Sequence, residues 1–233
     1  MHNLTFFITP ISYDIHLPTT VLFERPTIKN TLKDVLAQQH KTIFSIAETE
    51  KYAHVTYFFR GEHEECVPEE TRVLIPSIKT DSYRQYPHMS AQKITDAILT
   101  SVDTDPHDFY LINYANADMV GHSGNFDATV HAIEFLDKQL GLLYDTIIKQ
   151  MNGTLFITAD HGKAEDMFDE ATQQPRTAHT TNRVPFLVIN QKYRHSTMTL
   201  PLHQLSDIAP FILHYMGLPV PEKMKHKHHT KSS

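Results

Sequence analysis

The chain has 233 residues, 40% of them hydrophobic, a formal net charge of −6 and one cysteine. That length fits one domain, or one domain and a fragment of another, and can bury a sizeable core. The negative charge excludes a general nucleic-acid binder, and the lone Cys66 excludes an intrachain disulfide framework and fits a reducing, cytoplasmic setting. No apolar run approaches the ~20 residues that span a bilayer, so no membrane partner is expected.

In chain order, residues 3–8 (Asn-Leu-Thr-Phe-Phe-Ile) read as a strand and not as a signal peptide, because no basic segment precedes them and Pro10 follows. Pro18 and Pro26 punctuate an extended stretch. Thr31 and Asp34 have capping-box spacing, which predicts a helix to about Gln39. Ile43–Ile46 reads as a parallel strand that empties into the charged segment Ala47-Glu48-Thr49-Glu50-Lys51-Tyr52. The Glu-rich stretch 62–70 reads as a solvated loop, with Glu64, Glu65 and Glu69 disfavouring a Cys66 thiolate.

Val73–Ile75 is the next strand, and Ser90 is placed to cap a helix bearing Ile94, Ile98 and Val102 on one face. Phe109–Ile112 reads as a buried strand. The strongest helical pattern, with Phe126, Val130, Ile133, Leu136, Leu140, Leu143 and Ile147 at spacings of three and four, predicts a core-facing stripe. Strands at Leu155–Ile157 and Phe186–Ile189 and a helix over Asp207–Met216, stopped by Gly217 and Pro219, complete the pattern. Short apolar strands alternating with amphipathic helices predict an α/β fold with a mainly parallel sheet sandwiched by helices. The tail, with His226, His228 and His229, reads as disordered and basic.

Functional residues gather beyond the carboxyl ends of strands in such sheets. Asp118 and His122 follow the 109–112 strand, and their spacing of four puts them on one face of a helical turn. Asp160 and His161 follow the 155–157 strand, before Gly162, and His179 stands in a short polar loop. Either motif alone is matched about evenly by ordinary helix caps and surface histidines. Two Asp/His pairs at separate strand ends exceed what capping demands. They suit a hard or borderline divalent ion, Mn²⁺ or Zn²⁺, of the kind that handles phosphate. Glu48, Glu50 and Lys51 form a second group: Lys51 suits a phosphoryl oxygen and Glu50 a nucleophile or metal-bound group, although on the residues alone a solvated helix start is the better account of them. Arg72, Lys79 and Lys163 could meet phosphate but read as solvated surface.

Four stretches carry a resemblance: Ala47-Glu48-Thr49-Glu50-Lys51-Tyr52-Ala53-His54-Val55-Thr56, Asn116-Ala117-Asp118-Met119-Val120-Gly121-His122-Ser123-Gly124, Thr158-Ala159-Asp160-His161-Gly162 and Thr177-Ala178-His179-Thr180. From about residue 3 to residue 221 the chain resembles the C-terminal portion of cofactor-independent (2,3-bisphosphoglycerate-independent) phosphoglycerate mutases, members of the alkaline-phosphatase-like metalloenzymes. The resemblance implies an alkaline-phosphatase-like domain lacking its N-terminal part. Residues 1–25 would be a remnant of the inserted phosphoglycerate-binding domain and its hinge, 26–221 the metalloenzyme domain, and 222–233 a tail. It implies two Mn²⁺ in the full enzyme, one held by Asp118, His122 and His179 and the second shared by Asp160 and His161, with Lys51 and Glu50 at the transferring phosphoryl group. The substrates would be 3-phosphoglycerate and 2-phosphoglycerate, interconverted in glycolysis through a phosphoserine.

Family members are about twice this length, and the nucleophilic Ser and an Asp of the second metal site fall outside the stretch resembled. One complete metal site is therefore expected here, with no activity from the chain alone and a separate N-terminal half as a candidate partner. Another phosphohydrolase of the superfamily, or a non-catalytic fragment, are the rival readings. Lys163 replaces a usual Asn, and Arg60-Gly61-Glu62 replaces an Asn-Gly-Gly turn. Ile78 replaces Pro, and Arg84 stands where Asp is usual. An exposed sheet edge or apolar face, and with it self-association, is expected.

Overall fold

The computed structural model describes residues 7–10, 19–23, 28–169, 171–172, 174–176, 178–194, 196, 199–200 and 202–225. Near the start, β1 (Ile8–Thr9) pairs in parallel with β2 (Thr20–Val21); residues 3–6 of the 3–8 segment, Pro18, Pro26 and the tail histidines lie outside the described residues. Helix α1 (Leu32–Gln38) opens on the expected capping box, Thr31 and Asp34 each bonding the other's backbone N–H. It buries Leu32, Val35 and Leu36.

The centre is a parallel sheet in the order β4-β3-β5, with β3 (Ile43–Glu48) between β4 (Glu70–Ile75) and β5 (Phe109–Asn113). Every residue of β3 is buried, as its continuous apolar run predicts for a strand covered on both faces. A short helix, α2 (Tyr52–Val55), follows β3; α3 (Ala91–Thr104) follows β4, and α4 (Asn116–Gly121) follows β5. Helix α5 (Phe126–Leu143) continues in wider, π-helical turns over Tyr144–Gln150. Strand β6 (Leu155–Thr158) pairs antiparallel with β9 (Phe186–Ile189), and two-residue strands β7 (Phe168–Asp169) and β8 (Gln174–Pro175) form a small hairpin between them. Helix α6 (Ile208–Tyr215) ends at Gly217, whose φ of 70° is the left-handed stop that glycine adopts without strain.

Two cores flank the sheet. One packs α1 and α6 against Ile43, Phe109 and Phe156; the other packs α3 and Leu143 of α5 against Phe44, Ile46, Ile112 and Leu155. The predicted stripe on α5 is corrected in its first half. Phe126, Val130 and Ile133 are 70%, 37% and 44% exposed, while Ala128, Thr129, Ala132, Gln139 and Leu143 are buried. The small side chains allow close packing, with Ala128 and Ala132 joining Val120 of α4 in one apolar cluster, so the larger residues sit on the flank.

Three further expectations change. Ser90 does not cap α3 with its side chain; its hydroxyl donates to the Pro76 carbonyl (2.9 Å) and its N–H to Glu48 (3.1 Å). The acidic 62–70 stretch is not uniformly solvated, because Glu70 is buried and accepts from Lys33, from Ser45 (2.6 Å) and from Arg72 (3.0 Å). Lys163 is not surface but 3% exposed, its ammonium donating to the Arg176 carbonyl.

Candidate metal centre

Strand β5 delivers α4, and the third residue of α4 is Asp118. Strand β6 delivers Asp160 and His161 two and three residues after its end, and His179 comes from the loop before β9. Ligand atoms of Asp118, His161 and His179 lie within 4.8 Å of one another. Both ring nitrogens nearest Asp118 Oδ1 belong to histidines: His122 Nε2 at 3.1 Å and His179 Nε2 at 3.3 Å, themselves 3.2 Å apart. His161 stacks on His179 with ring centroids 3.7 Å apart. Asp160 stands at the rim, 57% exposed at its side chain, with Oδ1 3.5 Å from His161 Nε2.

The other oxygen of Asp118 accepts a 2.6 Å hydrogen bond from the Lys51 ammonium, which the turn after β3 carries inward to 7% exposure. Burial opposes ionisation of Asp118, but Lys51, with His122 and His161, outweighs it and holds the carboxyl below its ordinary range. Burial likewise pushes His122 down, more than Asp118 draws it up, leaving the neutral imidazole that a metal requires. Asp118 Oδ1 and His161 Nδ1 are buried without a hydrogen-bond partner. Orphaned acceptors facing several imidazoles, in a set of one carboxylate and three histidines, fit a divalent cation.

Two loops are sewn together to hold these groups. Gly162 and Thr180 form an antiparallel bridge, with the Thr180 N–H donating to the Gly162 carbonyl at 2.9 Å. The Glu165 carboxylate accepts from the Thr180 hydroxyl, from Asn182 Nδ2 (3.0 Å) and from the Lys163 N–H (2.7 Å). Those bonds hold its carboxyl at about 2, against the opposing effect of desolvation. A Cβ on Gly162 would collide with the Thr180 hydroxyl and the Glu165 carboxylate, so the approach requires glycine.

The segment after β3 divides its charges three ways, and it is not a solvated helix start. Glu48 is fully buried, its pKa raised by burial, and ties β3 to the loops at Ser77 (2.8 Å) and Ser90. Lys51 joins the Asp118, His122 and His179 cluster through Asp118. Glu50 is exposed and accepts from the Tyr83 hydroxyl at 2.8 Å, which with burial pushes that phenol up to about 12.

His54 belongs to the surroundings of the site and had no role from sequence. Its Nδ1 is buried without a partner, and burial and Lys51 lower its pKa while Asp160 and Asp118 raise it. Its spacing of three from Lys51, which places both on one side of a helical turn, was the available signal.

The arrangement can be set beside known proteins. The chain is 46% identical over 221 residues to a 2,3-bisphosphoglycerate-independent phosphoglycerate mutase of Francisella tularensis, covering 95% of this chain and 43% of that protein. It is 45% identical over 228 residues to a phosphoglycerate mutase of the same name from Acaryochloris marina, covering 42% of it. A crystal structure of Leishmania mexicana phosphoglycerate mutase, solved at low cobalt concentration, superposes with a TM-score of 0.81 at 27% identity, over 94% of this chain and 43% of that one. The chain thus spans less than half the length of the relatives it matches, corresponding to their C-terminal portion. The model of the metalloenzyme superfamily matches residues 8–220, and the chain belongs to that superfamily.

Proposed function

We propose that the chain is the C-terminal, metal-binding part of a 2,3-bisphosphoglycerate-independent phosphoglycerate mutase. Its metal would be Mn²⁺ and its substrates 3-phosphoglycerate and 2-phosphoglycerate. The observation that carries this reading is Asp118, one oxygen held by Lys51 and the other facing two imidazoles. Asp118, His122 and His179 hold one ion; Asp160 and His161 are this chain's share of a second. Bound Mn²⁺ supplies positive charge that acidifies a nucleophilic hydroxyl and neutralises phosphoryl oxygens.

The chain's own residues do the rest. Asp118 fixes the Lys51 ammonium where it can meet the anionic oxygens of the transferring group, and the buried surroundings strengthen that attraction. Glu50, oriented by Tyr83, stands beside the same turn to position the acceptor hydroxyl. The nucleophile is not among these residues. Ser123 donates its hydroxyl to the Val120 carbonyl at 2.6 Å, closing α4, and Ser12 lies outside the described residues and outside the nucleophile's motif. Catalysis therefore needs the part of the mutase that this chain does not cover, and residues 1–233 alone are inactive.

Coexpression with the N-terminal part of the Francisella relative, followed by conversion of 3- to 2-phosphoglycerate, tests the reading. Activity in the pair, absent from either part and lost with Lys51→Ala, is expected. A stable, metal-loaded pair without activity would contradict it.

A further inference from the structure

Two lysines stand at the metal centre, and only Lys51 has a task there. Lys163 is the more deeply placed, 3% exposed against 7% for Lys51. Its stem crosses the last turn of α4: a Cβ on Gly121, the residue before His122, would come within 3.3 Å of Lys163 Cγ. Its ammonium ends on the Arg176 carbonyl, its hydrogen-bond partner among the described residues. Lys163 is thus wedged between the three segments that carry the ligands: α4 with Asp118 and His122, its own segment with Asp160 and His161, and the chain that reaches His179 three residues beyond Arg176.

A brace between loops does not require a charge. Burying an ammonium costs free energy that a neutral donor to the same carbonyl would not. The charges that face Lys163 say where its own acts. Asp118 pulls on it more strongly than Asp166 or Glu165 does, and Lys163 acts on His122 more strongly than Lys51 does. Asp166 and Glu165 lie toward solvent and are otherwise engaged, Asp166 with Arg176 at 3.2 Å and Glu165 with Thr180 and Asn182. Asp160 is 57% exposed at its side chain, so water and salt screen it as well. What remains inside is one carboxylate, Asp118, flanked by the Lys51 and Lys163 ammoniums, a centre that is positive by one charge before any ion enters.

We propose that Lys163 is a fixed counter-charge of the metal centre, one that weakens its hold on the divalent cation and strengthens its hold on the phosphate that the cation receives. The proposal rests on the metal centre of the functional reading above. Repulsion of a divalent cation and attraction of a phosphate dianion act through space with opposite signs. Lys163, enclosed between α4 and the Arg176 carbonyl, therefore touches neither. The site is tuned by this charge to the pair of metal and phosphate and away from the bare metal.

The test titrates the 233-residue chain with Mn²⁺ alone, and then the Mn²⁺-loaded chain with inorganic phosphate, by calorimetry; binding that survives in His179→Ala is subtracted as ions held elsewhere. Lys163→Gln removes the charge and keeps a donor for the Arg176 carbonyl. It should bind Mn²⁺ ~10-fold more tightly and phosphate ~3-fold or more weakly, the scale of one charge acting across a protein interior. Lys163→Met is the second neutral variant if the glutamine does not fold, and Lys163→Arg, which restores the charge, should return both affinities toward the wild type. A lysine that only braces the loops predicts the contrary, both affinities falling together when it is replaced. That result, unchanged affinities, or an arginine variant that shifts as far as the glutamine would each overturn the proposal. Absence of bound Mn²⁺ from wild type and variants alike overturns it together with the metal centre. Conversion of 3- to 2-phosphoglycerate by the coexpressed pair separates the two readings. Shifted titrations without conversion keep the role of Lys163 and remove the mutase; conversion with unshifted titrations does the reverse.

Discussion

Asp118 divides its two oxygens between a buried lysine and a pair of imidazoles, and the site depends on that division. Replacing it by Asn removes the charge that both sides need. Mn²⁺ affinity should fall by at least ~100-fold, read by calorimetric titration, more than the loss expected for an outer partner such as Glu165→Gln, about 10–100-fold. Unchanged affinity in Asp118→Asn would remove that carboxylate from the metal centre. Glu62 offers a test of backbone conformation alone. Its φ of 68° places a side chain in the left-handed region, where the resembled turn has glycine. Glu62→Gly should stabilise the fold by about 1 kcal/mol in urea melts, provided the Glu62 side-chain contacts contribute less than that.

The proposed ligand residues stand out as types because Asp/His pairs after apolar runs are conspicuous in one dimension. Lys163 and His54 do not. A buried lysine depends on the Arg176 carbonyl thirteen residues away, and His54 on which side of a short helix faces the cluster. The structure also brings His161 against His179, a proximity between the two predicted ligand sets that spacing along the chain does not reveal.

At the scale of elements, periodicity and capping chemistry read well where the decisive partners are local. The α1 capping box, the parallel β3 and the Gly217 stop are of that kind. Failures came where partners are distant. Glu70 looked like one more acid in a surface loop, yet β4 carries it beneath α1, where Lys33 and Ser45 meet it. Lys33→Met leaves that carboxylate buried with Arg72, Ser45 and the Cys66 thiol as its partners, and should cost about 3–5 kcal/mol in denaturant unfolding. A change within 0.5 kcal/mol would show that the pair is not coupled to folding.

The same carboxyls set the acid limit. Desolvation raises the pKa of Glu70 and Asp118, but Lys33, Ser45 and Arg72 around the first, and Lys51, His122 and His161 around the second, together outweigh it and hold both below the usual range. The native state therefore binds fewer protons than the unfolded chain at acid pH. Their contribution is complete above about pH 5 and is lost as pH falls through the ordinary carboxylate range of ~4 and below. Acid melts should show a falling Tm there in the wild type and a shallower fall in Lys33→Met; parallel curves would refute the assignment.

For the whole molecule, the sequence foretold two layers of helices around a parallel sheet but not that α5 would turn its large apolar residues outward. The stripe was real, and the error lay in assuming that a core within this chain receives it. Phe126, Val130 and Ile133 remain exposed while Ala128 and Ala132 pack inward. Such a surface favours association. Light scattering of the isolated chain should detect oligomers that Phe126→Ser/Ile133→Ser reduces; a monodisperse wild-type monomer would contradict this. No described helix is long and apolar enough to cross a membrane, so that surface is not a spanning segment. The central claim is that this chain alone assembles a metal site from Asp118, His122 and His179. Native mass spectrometry with Mn²⁺, on the chain ended at Pro221 to remove the histidine-rich tail, addresses it directly. One tightly held ion per chain, lost in His179→Ala, is the result predicted; no bound ion, or an ion retained in the variant, would contradict it.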